Sequence, residues 1–332
     1  MLQSLTRVGI LGVGAYAPEE VLTNHDLEKM VDTSDEWITT RTGIKRRHIA
    51  PDSVATAELA TQAGRRALAD AGIGPEVLDQ ILVSTDTPEM LTPPTACFVQ
   101  TDLGADRAAA LDQSGGCTGF LQTLAFAESR VRTAGETILI IGAELISRYI
   151  DWSDRSTCVL FGDGAGAVVV GPSRDEGDSD ILASYARTDG TMAYVLYQPA
   201  GGTRQPITQE LIQQGKHRGI YMEGRVVFKW AVEKMIEAAD RVLEQAGLRP
   251  EDVDLLIPHQ ANLRIIDALV ERFRFSREKV FINVDEYGNT GAASIPIALE
   301  EAVRQEKLLR GQIVLFTAFG AGFSWAGTLL RF

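Results

Sequence analysis

The sequence predicts an α/β protein made of two duplicated halves packed around a pseudo-twofold axis. The segment 71–82 recurs as 246–257, an offset of 175 residues. An apolar run at 138–141 falls on another at 313–316 with the same offset. A repeat near half the chain length indicates two copies of one domain rather than a solenoid. Two matches in one register therefore predict an internal duplication.

Each half combines helical and strand patterns. Apolar side chains recur at helical spacing over 228–243, whereas 81–83 and 168–170 are short apolar runs. Short apolar runs between helices are typical of sheets that are covered on both faces. We predict a first half at residues 1–175 and a second at residues 176–332, joined without a low-complexity linker into one compact body.

Composition excludes several classes of protein. The chain has 332 residues, of which 45% are hydrophobic and 23% charged, as in an ordinary globular protein with a large core. The formal net charge of −13 argues against a nucleic-acid binder. A mean hydropathy of −0.01, without a long apolar run, argues against a membrane span. Three cysteines, an odd number, favour a reducing compartment, and we expect a cytoplasmic protein.

Cys117 is the strongest candidate for a nucleophile. It follows Gly115-Gly116 and precedes a helical pattern over 121–131. The dipole and free N–H groups of a helix N-terminus favour the nucleophilic thiolate, and neighbouring glycines permit close approach of a substrate. Cys97 and Cys158 are interpreted instead as small buried side chains.

His259 and Asn289 are the predicted partners of Cys117. The triplet at 289–291 matches that at 117–119 with an offset of 172, so we expect both residues before a helix and facing one cavity. His259 directly follows a duplicated apolar strand, and α/β folds place function at strand ends. Together these types provide a nucleophile, a proton or hydrogen-bond partner and an amide donor. The histidines lack metal-ligand spacing, so no metal site is expected.

Two other motifs indicate alternatives. The segment 12–17 fits the dinucleotide pattern G-x-G-x-x-A, but Pro18 follows at once and no amphipathic helix comes next. The segment 115–119 fits a G-x-C-x-G nucleophile elbow, which would indicate a thiol hydrolase. That fold lacks a half-chain duplication and places an acid before its histidine, whereas here Asn289 follows His259.

Several motifs along the chain occur together in a known order. They are T-S-D-E-W-I at 33–38, R-T-G-I at 41–44, the Cys117 region, D-R at 154–155, F-G-D-G-A-G-A at 161–167, P-H-Q-A-N-L-R at 258–264, G-N-T at 288–290 and F-G-A-G-F at 319–323. With these motifs, and over essentially its whole length, the chain resembles the β-ketoacyl-acyl-carrier-protein synthase III family of the thiolase-like superfamily. The resemblance implies a five-layered αβαβα fold, a homodimer and catalysis of the first condensation of dissociated fatty-acid synthesis.

The resemblance also implies a role for each candidate residue. Cys117 would accept an acyl group from acyl-CoA, and the backbone N–H groups of Cys117 and Ala321 would form the oxyanion hole. His259 and Asn289 would stabilise the enolate formed as malonyl-acyl-carrier-protein loses carbon dioxide. Fixed neutral donors suit this step, since one such donor in a dry site is worth about 10²–10³ in rate. No cofactor is implied beyond the coenzyme A thioester, which is a substrate.

For coenzyme A, the family pattern would put the adenine between Trp37 and Arg155. An aromatic ring and a guanidinium both stack on a purine. Thr33 would lie near the adenine, and Arg41 would contact the phosphates. The residues implied for the pantetheine tunnel are Gly224, Phe228 and Asn262.

The acyl carrier protein is acidic, so a chain of this net charge needs a local positive surface to bind it. Residues 264–279 carry five basic and three acidic side chains, a net charge of +2. We predict a docking surface formed by this segment and Lys229, with Arg264 and Arg272 as its foremost cations.

The sequence departs from the family pattern at a few positions. Gly115-Gly116 stands where the family commonly has two alanines, and Glu271 occupies an often basic position, so we expect a wider acyl pocket or a changed partner. Thr92 stands where relatives often have a larger side chain, which predicts a pocket beside it for chains longer than acetyl.

The remaining alternatives concern the bond that is formed. Relatives that transfer acyl groups to oxygen or nitrogen often alter the histidine or the asparagine, so His259 and Asn289 favour decarboxylative condensation. A noncatalytic partner subunit of the same fold would lack Cys117. The starter acyl group, and the choice between fatty-acid synthesis and secondary metabolism, stay open.

Overall fold

The computed structural model describes residues 6–173 and 178–332. Its strands are β1 Val8–Tyr16, β2 Val21–Thr23, β3 Arg46–His48, β4 Gln80–Ser84, β5 Ala109–Gln113, β6 Ile138–Leu145, β7 Asp163–Pro172, β8 Asp180–Thr188, β9 Leu196–Tyr197, β10 Tyr221–Met222, β11 Leu255–Pro258, β12 Ile313–Gly320 and β13 Ser324–Arg331. Its α-helices are α1 Asn24–Leu27, α2 Asp35–Thr42, α3 Thr56–Ala71, α4 Thr95–Leu103, α5 Gly119–Ala134, α6 Arg155–Cys158, α7 Gln209–Gln213, α8 Gly224–Ala246, α9 Leu263–Phe273, α10 Val284–Tyr287 and α11 Ser294–Arg304. Among these helices none combines the length and the apolar character that a membrane crossing requires.

Two sheets organise the chain. The first has the strand order β1-β7-β6-β4-β5, and the second has the order β11-β12-β13-β8. In the first sheet β4 runs parallel to both neighbours, while β7 is antiparallel to β1 and β6. Every residue of β6 is buried, which explains why its sequence is an apolar run rather than an alternating pattern.

Side chains on opposite faces of each sheet enter different cores. In β6, Ile138 and Ile140 pack with α5, α11 and the second sheet, whereas Leu139 and Ile141 pack under α3 and α4. Phe316 of β12 faces the same central core, whereas the preceding residue, Leu315, packs against α8 and α9. The layers are therefore helix, sheet, helix, sheet, helix, and the predicted five-layered αβαβα fold is confirmed.

The duplication appears as matching chain geometry. Gly72 and Gly247 end α3 and α8 with φ values of +66° and +67°, and they lie 175 residues apart. Short 3₁₀ helices at Gly116–Thr118 and Gly291–Ala293 keep the same offset and lead directly into α5 and α11. The first sheet uses residues 8–172 and the second residues 180–331. The exact division at 175 and the pseudo-twofold axis stay predictions.

The same register corrects one expectation. At an offset of 175 the counterpart of Cys117 is Ala292, because both occupy the middle of these 3₁₀ helices. Asn289 lies three residues earlier, in the loop before the second 3₁₀ helix. The match at an offset of 172 was thus wrong as a structural equivalence. The two residues still reach one cavity, but from different positions relative to their helices.

Candidate active site

One cavity of about 610 Å³ contains the predicted catalytic residues. Its lining includes Cys117, His259 and Asn289, together with Ala321. Cys117 comes from the start of α5, His259 from the end of β11, and Asn289 from the loop before α11. The structure therefore brings together three side chains that the sequence places up to 172 residues apart.

Two glycines let the backbone segments around Cys117 approach each other. Gly116 has φ +58°, and a Cβ on it would lie 2.9 Å from the backbone nitrogen of Ala321. A Cβ on Gly320 would lie 2.6 Å from the backbone nitrogen of Cys117. These missing side chains face the 320–321 backbone and the nucleophile. Gly116 therefore permits a close backbone contact rather than a wider acyl pocket, and the effect expected of Gly115 stays a prediction.

The surroundings of the Cys117 thiol favour its protonated form. Burial raises its pKa, and the neighbouring carboxyl groups of Asp86 and Glu144 raise it further. The backbone N–H groups of Cys117 and Ala321 act in the opposite direction, because both reach the sulfur. Desolvation and the two carboxyl groups therefore oppose the thiolate that the helix N-terminus favours. Both predicted oxyanion donors do lie at the reacting atom.

His259 is a neutral imidazole. It is 3% exposed, and burial lowers its pKa from 6.5 to about 4. Its Nδ1 lies 2.6 Å from the hydroxyl oxygen of Ser294. At neutral pH the ring therefore cannot supply a positive charge, but it can supply one N–H hydrogen bond.

Asn289 is oriented by the backbone around it. Its backbone N–H donates to the carbonyl of Leu160, and its carbonyl accepts from the N–H of Gly162. The side-chain Oδ1 accepts from the N–H of Gly291 at 2.9 Å. That bond identifies the oxygen, so the NH₂ group of the amide is left as the donor toward the cavity.

Two acidic residues that line the cavity, Asp86 and Glu144, were not predicted from the sequence. Glu144 is buried and accepts from the hydroxyl of Thr87 at 2.8 Å and from the N–H of Asp86, while burial raises its pKa well above the usual range. Oδ1 of Asp86 accepts from the hydroxyl of Ser114 at 2.7 Å. Each had a signal: Asp86 comes two residues after a strand, and Glu144 is the single charged residue of the buried β6.

The residues expected at the adenine do meet. Trp37 has the guanidinium of Arg41 at 4.8 Å from its ring centroid and that of Arg155 at 4.9 Å. A ring inserted between Trp37 and Arg155 needs about 7 Å, two van der Waals contacts of about 3.5 Å. The sandwich is therefore not preformed, and Arg155, which donates to the carbonyl of Asp32 at 2.7 Å, would have to move. The hydroxyl oxygen of Thr33 is buried without a partner in the described chain.

The predicted tunnel residues all line the cavity. Gly224 and Phe228 contribute from α8, and Asn262 caps α9 by accepting from the N–H of Arg264 at 2.9 Å. The amide of Asn262 also donates to the carbonyl of Arg41 at 3.2 Å, which ties this wall to the Trp37 end. The structure thus makes one continuous cavity from Trp37 to Cys117.

The predicted docking surface is only partly available. Arg277 forms an ion pair with Asp267, and Nζ of Lys279 donates to the carbonyl of Val253 at 2.8 Å. Lys229 and Arg264 are exposed and have no ion-pair partner within residues 6–173 and 178–332. Arg264 lies over the ring of Phe228 at 5.6 Å, directly at the cavity.

The part of the predicted docking surface at the end of α9 carries charges of both signs. Arg272 and Glu271 are both exposed at the end of α9. Arg272 partly offsets the burial that raises the pKa of Asp240. Among the predicted docking cations, Arg264 lines the cavity, and Lys229 directly follows Phe228 of the cavity wall.

Thr92 does not line the cavity of its own chain. It is exposed, next to Leu91, which is 91% exposed. The expected pocket beside Thr92 is therefore not formed within the single chain, because Thr92 is absent from the residues that line the cavity.

The layered fold and the cysteine, histidine and asparagine of its cavity define a condensing acyltransferase of the thiolase-like class. A family model described as 3-oxoacyl-[acyl-carrier-protein (ACP)] synthase III matches residues 111–190, and its C-terminal counterpart matches residues 243–332. A β-ketoacyl-[acyl-carrier-protein] synthase III of Caldanaerobacter subterraneus subsp. tengcongensis is 56% identical over 324 residues, covering 97% of each chain. The chain belongs to the β-ketoacyl-[acyl-carrier-protein] synthase III family.

Solved structures agree with this assignment. The 3-oxoacyl-[acyl-carrier-protein] synthase III from Aquifex aeolicus superposes with a TM-score of 0.91 at 49% identity, over 98% of this chain and 100% of that chain. The priming β-ketosynthase of a polyketide biosynthetic pathway superposes with a TM-score of 0.90 at 37% identity, over 99% of this chain and 98% of that chain. The predicted family, fold class and enzyme class are thus confirmed.

Proposed function

We propose that the chain condenses an acyl-CoA starter with malonyl-acyl-carrier-protein, with loss of carbon dioxide, at the cavity of Cys117. The observation that carries this proposal is the meeting of one thiol with two neutral hydrogen-bond donors, His259 and Asn289, in one buried site. No metal or further cofactor enters the proposed reaction.

In the first step the sulfur of Cys117 attacks the carbonyl carbon of the acyl-CoA thioester. The bond to the sulfur of coenzyme A breaks, and the proton of the Cys117 thiol ends on the departing coenzyme A thiol. The negative oxygen of the tetrahedral intermediate lies between the N–H groups of Cys117 and Ala321, which both already reach the sulfur. Because the resting thiol is protonated, transfer of this proton belongs to the acylation step.

In the second step the malonyl group loses carbon dioxide. The electron pair of the broken carbon–carbon bond moves toward the thioester oxygen, where His259 and Asn289 donate hydrogen bonds to the enolate. Both donors are neutral, so they bring no charge of their own to the enolate oxygen. The enolate carbon then attacks the acyl thioester, and the sulfur of Cys117 leaves and takes up a proton.

Substrate entry is assigned to the Trp37 end. Trp37, Arg41, Arg155 and Thr33 would hold the nucleotide of coenzyme A once Arg155 has moved away from the indole. An unpaired Lys229 and Arg264 beside the same opening would attract the acidic carrier protein. Both substrates would then deliver a pantetheine arm along Phe228 and Asn262.

We also propose a homodimer in the cytoplasm. Asp86 and Ser114 are exposed although Asp86 lines the cavity, so the acyl end is open in a single chain. The neighbouring β5 is an edge strand of the first sheet with unpaired backbone groups. A second copy placed on this edge would close the cavity, and light scattering on the purified protein would give its mass.

A starter-condensing role in secondary metabolism is the second candidate. It is favoured by the likeness to a priming β-ketosynthase of a polyketide pathway. A panel of acyl-CoA starters, read as mass gain on the intact protein, distinguishes the two roles by the chain that is accepted.

The test of the proposed function separates the two chemical steps. Cys117→Ala should abolish condensation while some release of labelled carbon dioxide from malonyl-acyl-carrier-protein persists. His259→Ala and Asn289→Ala should still become acylated but release carbon dioxide about 10²-fold more slowly or worse. Cys158→Ala, at a buried cysteine outside the cavity, is the control and should retain both steps. Normal carbon dioxide release by His259→Ala without acylation would contradict this division.

A further inference from the structure

We propose that Ser294 is a positioning residue that holds the proton of His259 on Nε2, and so makes the imidazole a donor to the substrate. The proposal deepens the proposed function and rests on it, because the enolate oxygen needs a donor from the ring. Ser294 is the first residue of α11, and nothing in its sequence surroundings marks it as part of the site.

The geometry around the hydroxyl is simple. Oγ of Ser294 lies 2.6 Å from Nδ1 of His259, and the two residues are 2% and 3% exposed. The backbone N–H of Gln260 donates to the same Oγ at 3.5 Å. Within the described chain no other group is hydrogen-bonded to this oxygen. Three polar groups therefore have to satisfy one another away from water.

Counting protons decides the direction of the short bond. A hydroxyl has one proton to donate and two lone pairs. If Nδ1–H donated to Ser294, two N–H groups would meet at Oγ and the hydroxyl proton would be buried without an acceptor, which proteins avoid. If the hydroxyl donates to Nδ1, every group is satisfied. The ring proton then lies on Nε2, the nitrogen that faces away from Ser294.

The backbone donor is itself held in place. The side chain of Gln260 is 1% exposed, and its amide donates to the carbonyls of Pro258 at 2.8 Å and Phe281 at 3.3 Å. Its Oε1 accepts from the N–H of Asn283 at 3.1 Å. All hydrogen-bonding groups of this amide are used inside the protein, so the backbone N–H beside it has a fixed direction toward Ser294.

The position of Ser294 in α11 adds to the effect. The N-terminus of an α-helix carries partial positive charge, which disfavours a second positive charge close by. A protonated imidazolium at His259 is opposed by this charge as well as by burial. Ser294 thus connects His259 to a helix start that favours the neutral ring, while its hydroxyl selects which nitrogen of that ring is protonated.

Nitrogen NMR of protein labelled at the histidine ring tests the assignment directly, because protonated and unprotonated ring nitrogens differ widely in chemical shift. The wild-type His259 should show a protonated Nε2 and an unprotonated Nδ1, with the signals assigned by their absence in His259→Ala. Ser294→Ala should change this pattern, and Ser294→Thr, which keeps a hydroxyl, should restore it. A protonated Nδ1 in the wild-type protein would overturn the proposal without any variant.

Kinetics provide the second readout. Ser294→Ala should lower carbon dioxide release from malonyl-acyl-carrier-protein about tenfold or more in kcat, with an unchanged KM and unchanged acylation of Cys117 by acyl-CoA. Ser84→Ala is the matched control, because it removes an equally buried hydroxyl that has no hydrogen-bond partner among the described residues. It should leave the ring signals of His259 and the rate unchanged.

The two proposals can fail separately. If His259→Ala lowers carbon dioxide release but Ser294→Ala changes neither the ring signals nor the rate, only the role of Ser294 is wrong. If His259→Ala leaves carbon dioxide release at the wild-type rate, the proposed function of His259 is wrong and the role of Ser294 falls with it.

Discussion

Decarboxylation should keep its rate when the pH is lowered from 7.5 to 5.5, because burial lowers the pKa of His259 to about 4. With that pKa only about 3% of the rings are protonated at pH 5.5, whereas a histidine with the ordinary pKa of 6.5 would be about 90% protonated. A neutral donor with the lowered pKa therefore loses about 3% of its activity. With the ordinary pKa, the decarboxylation rate would fall about tenfold, because only about a tenth of the rings would be neutral.

The measurement uses Cys117→Ala, in which condensation cannot follow and carbon dioxide release reports the decarboxylation step alone. Rates at saturating malonyl thioester would be taken across this pH range, with a small malonyl thioester beside the carrier-protein substrate to separate docking from chemistry. His259→Ala should be slower at every pH. A loss centred near pH 6.5 would refute the neutral buried ring, and a rise in rate toward acid would show that the imidazolium is the active form.

Three further predictions concern the nucleophile and its partners. Peptide mapping after incubation with acetyl-CoA should find the acyl group on Cys117 and not on the other two cysteines, since only this thiol lines the cavity; label mainly elsewhere would contradict the assignment. Asp86→Asn should lower the pKa of the Cys117 thiol, because it removes a charge that raises that pKa, so alkylation at pH 8 should become severalfold faster; an unchanged pH profile would exclude this charge effect. Arg264→Glu should raise the KM for malonyl-acyl-carrier-protein strongly and in a salt-sensitive way, while Arg277→Glu, at a cation already paired with an acid, should do so far less; equal effects would place docking elsewhere.

Much of the fold could be predicted from the sequence because it depends on local and periodic patterns. The repeat at an offset of 175 predicted two copies of one domain, and the short apolar runs at 81–83 and 168–170 predicted covered sheets, with which the layers of the structure agree. The candidate nucleophile and its partners were also predicted, since Cys117 precedes a helix and His259 ends a strand. These signals lie within a few residues of each other along the chain.

The protonation states of the site were decided only by the tertiary structure. Position at a helix start favoured a thiolate at Cys117, but Asp86 after β4 and Glu144 in β6, together with burial, favour the thiol. Which groups lose water, and which charges become neighbours, depends on how distant segments pack. No local pattern around Cys117 contains that information.

Which side chains are free to act was likewise decided in three dimensions. Arg277 and Arg264 belong to the same basic segment, yet within the described residues only Arg277 of the two has an ion-pair partner, because it reaches Asp267 of α9. Cys117 and Asn289 match at an offset of 172 only in sequence. In the structure the residue equivalent to Cys117 is Ala292, because both lie in the middle of the corresponding 3₁₀ helices. Sequence by itself determined the architecture and the chemical groups, since periodicity and residue type are local properties. Contacts between distant segments determined charge, orientation and availability, because those follow from desolvation and from which atoms finally meet.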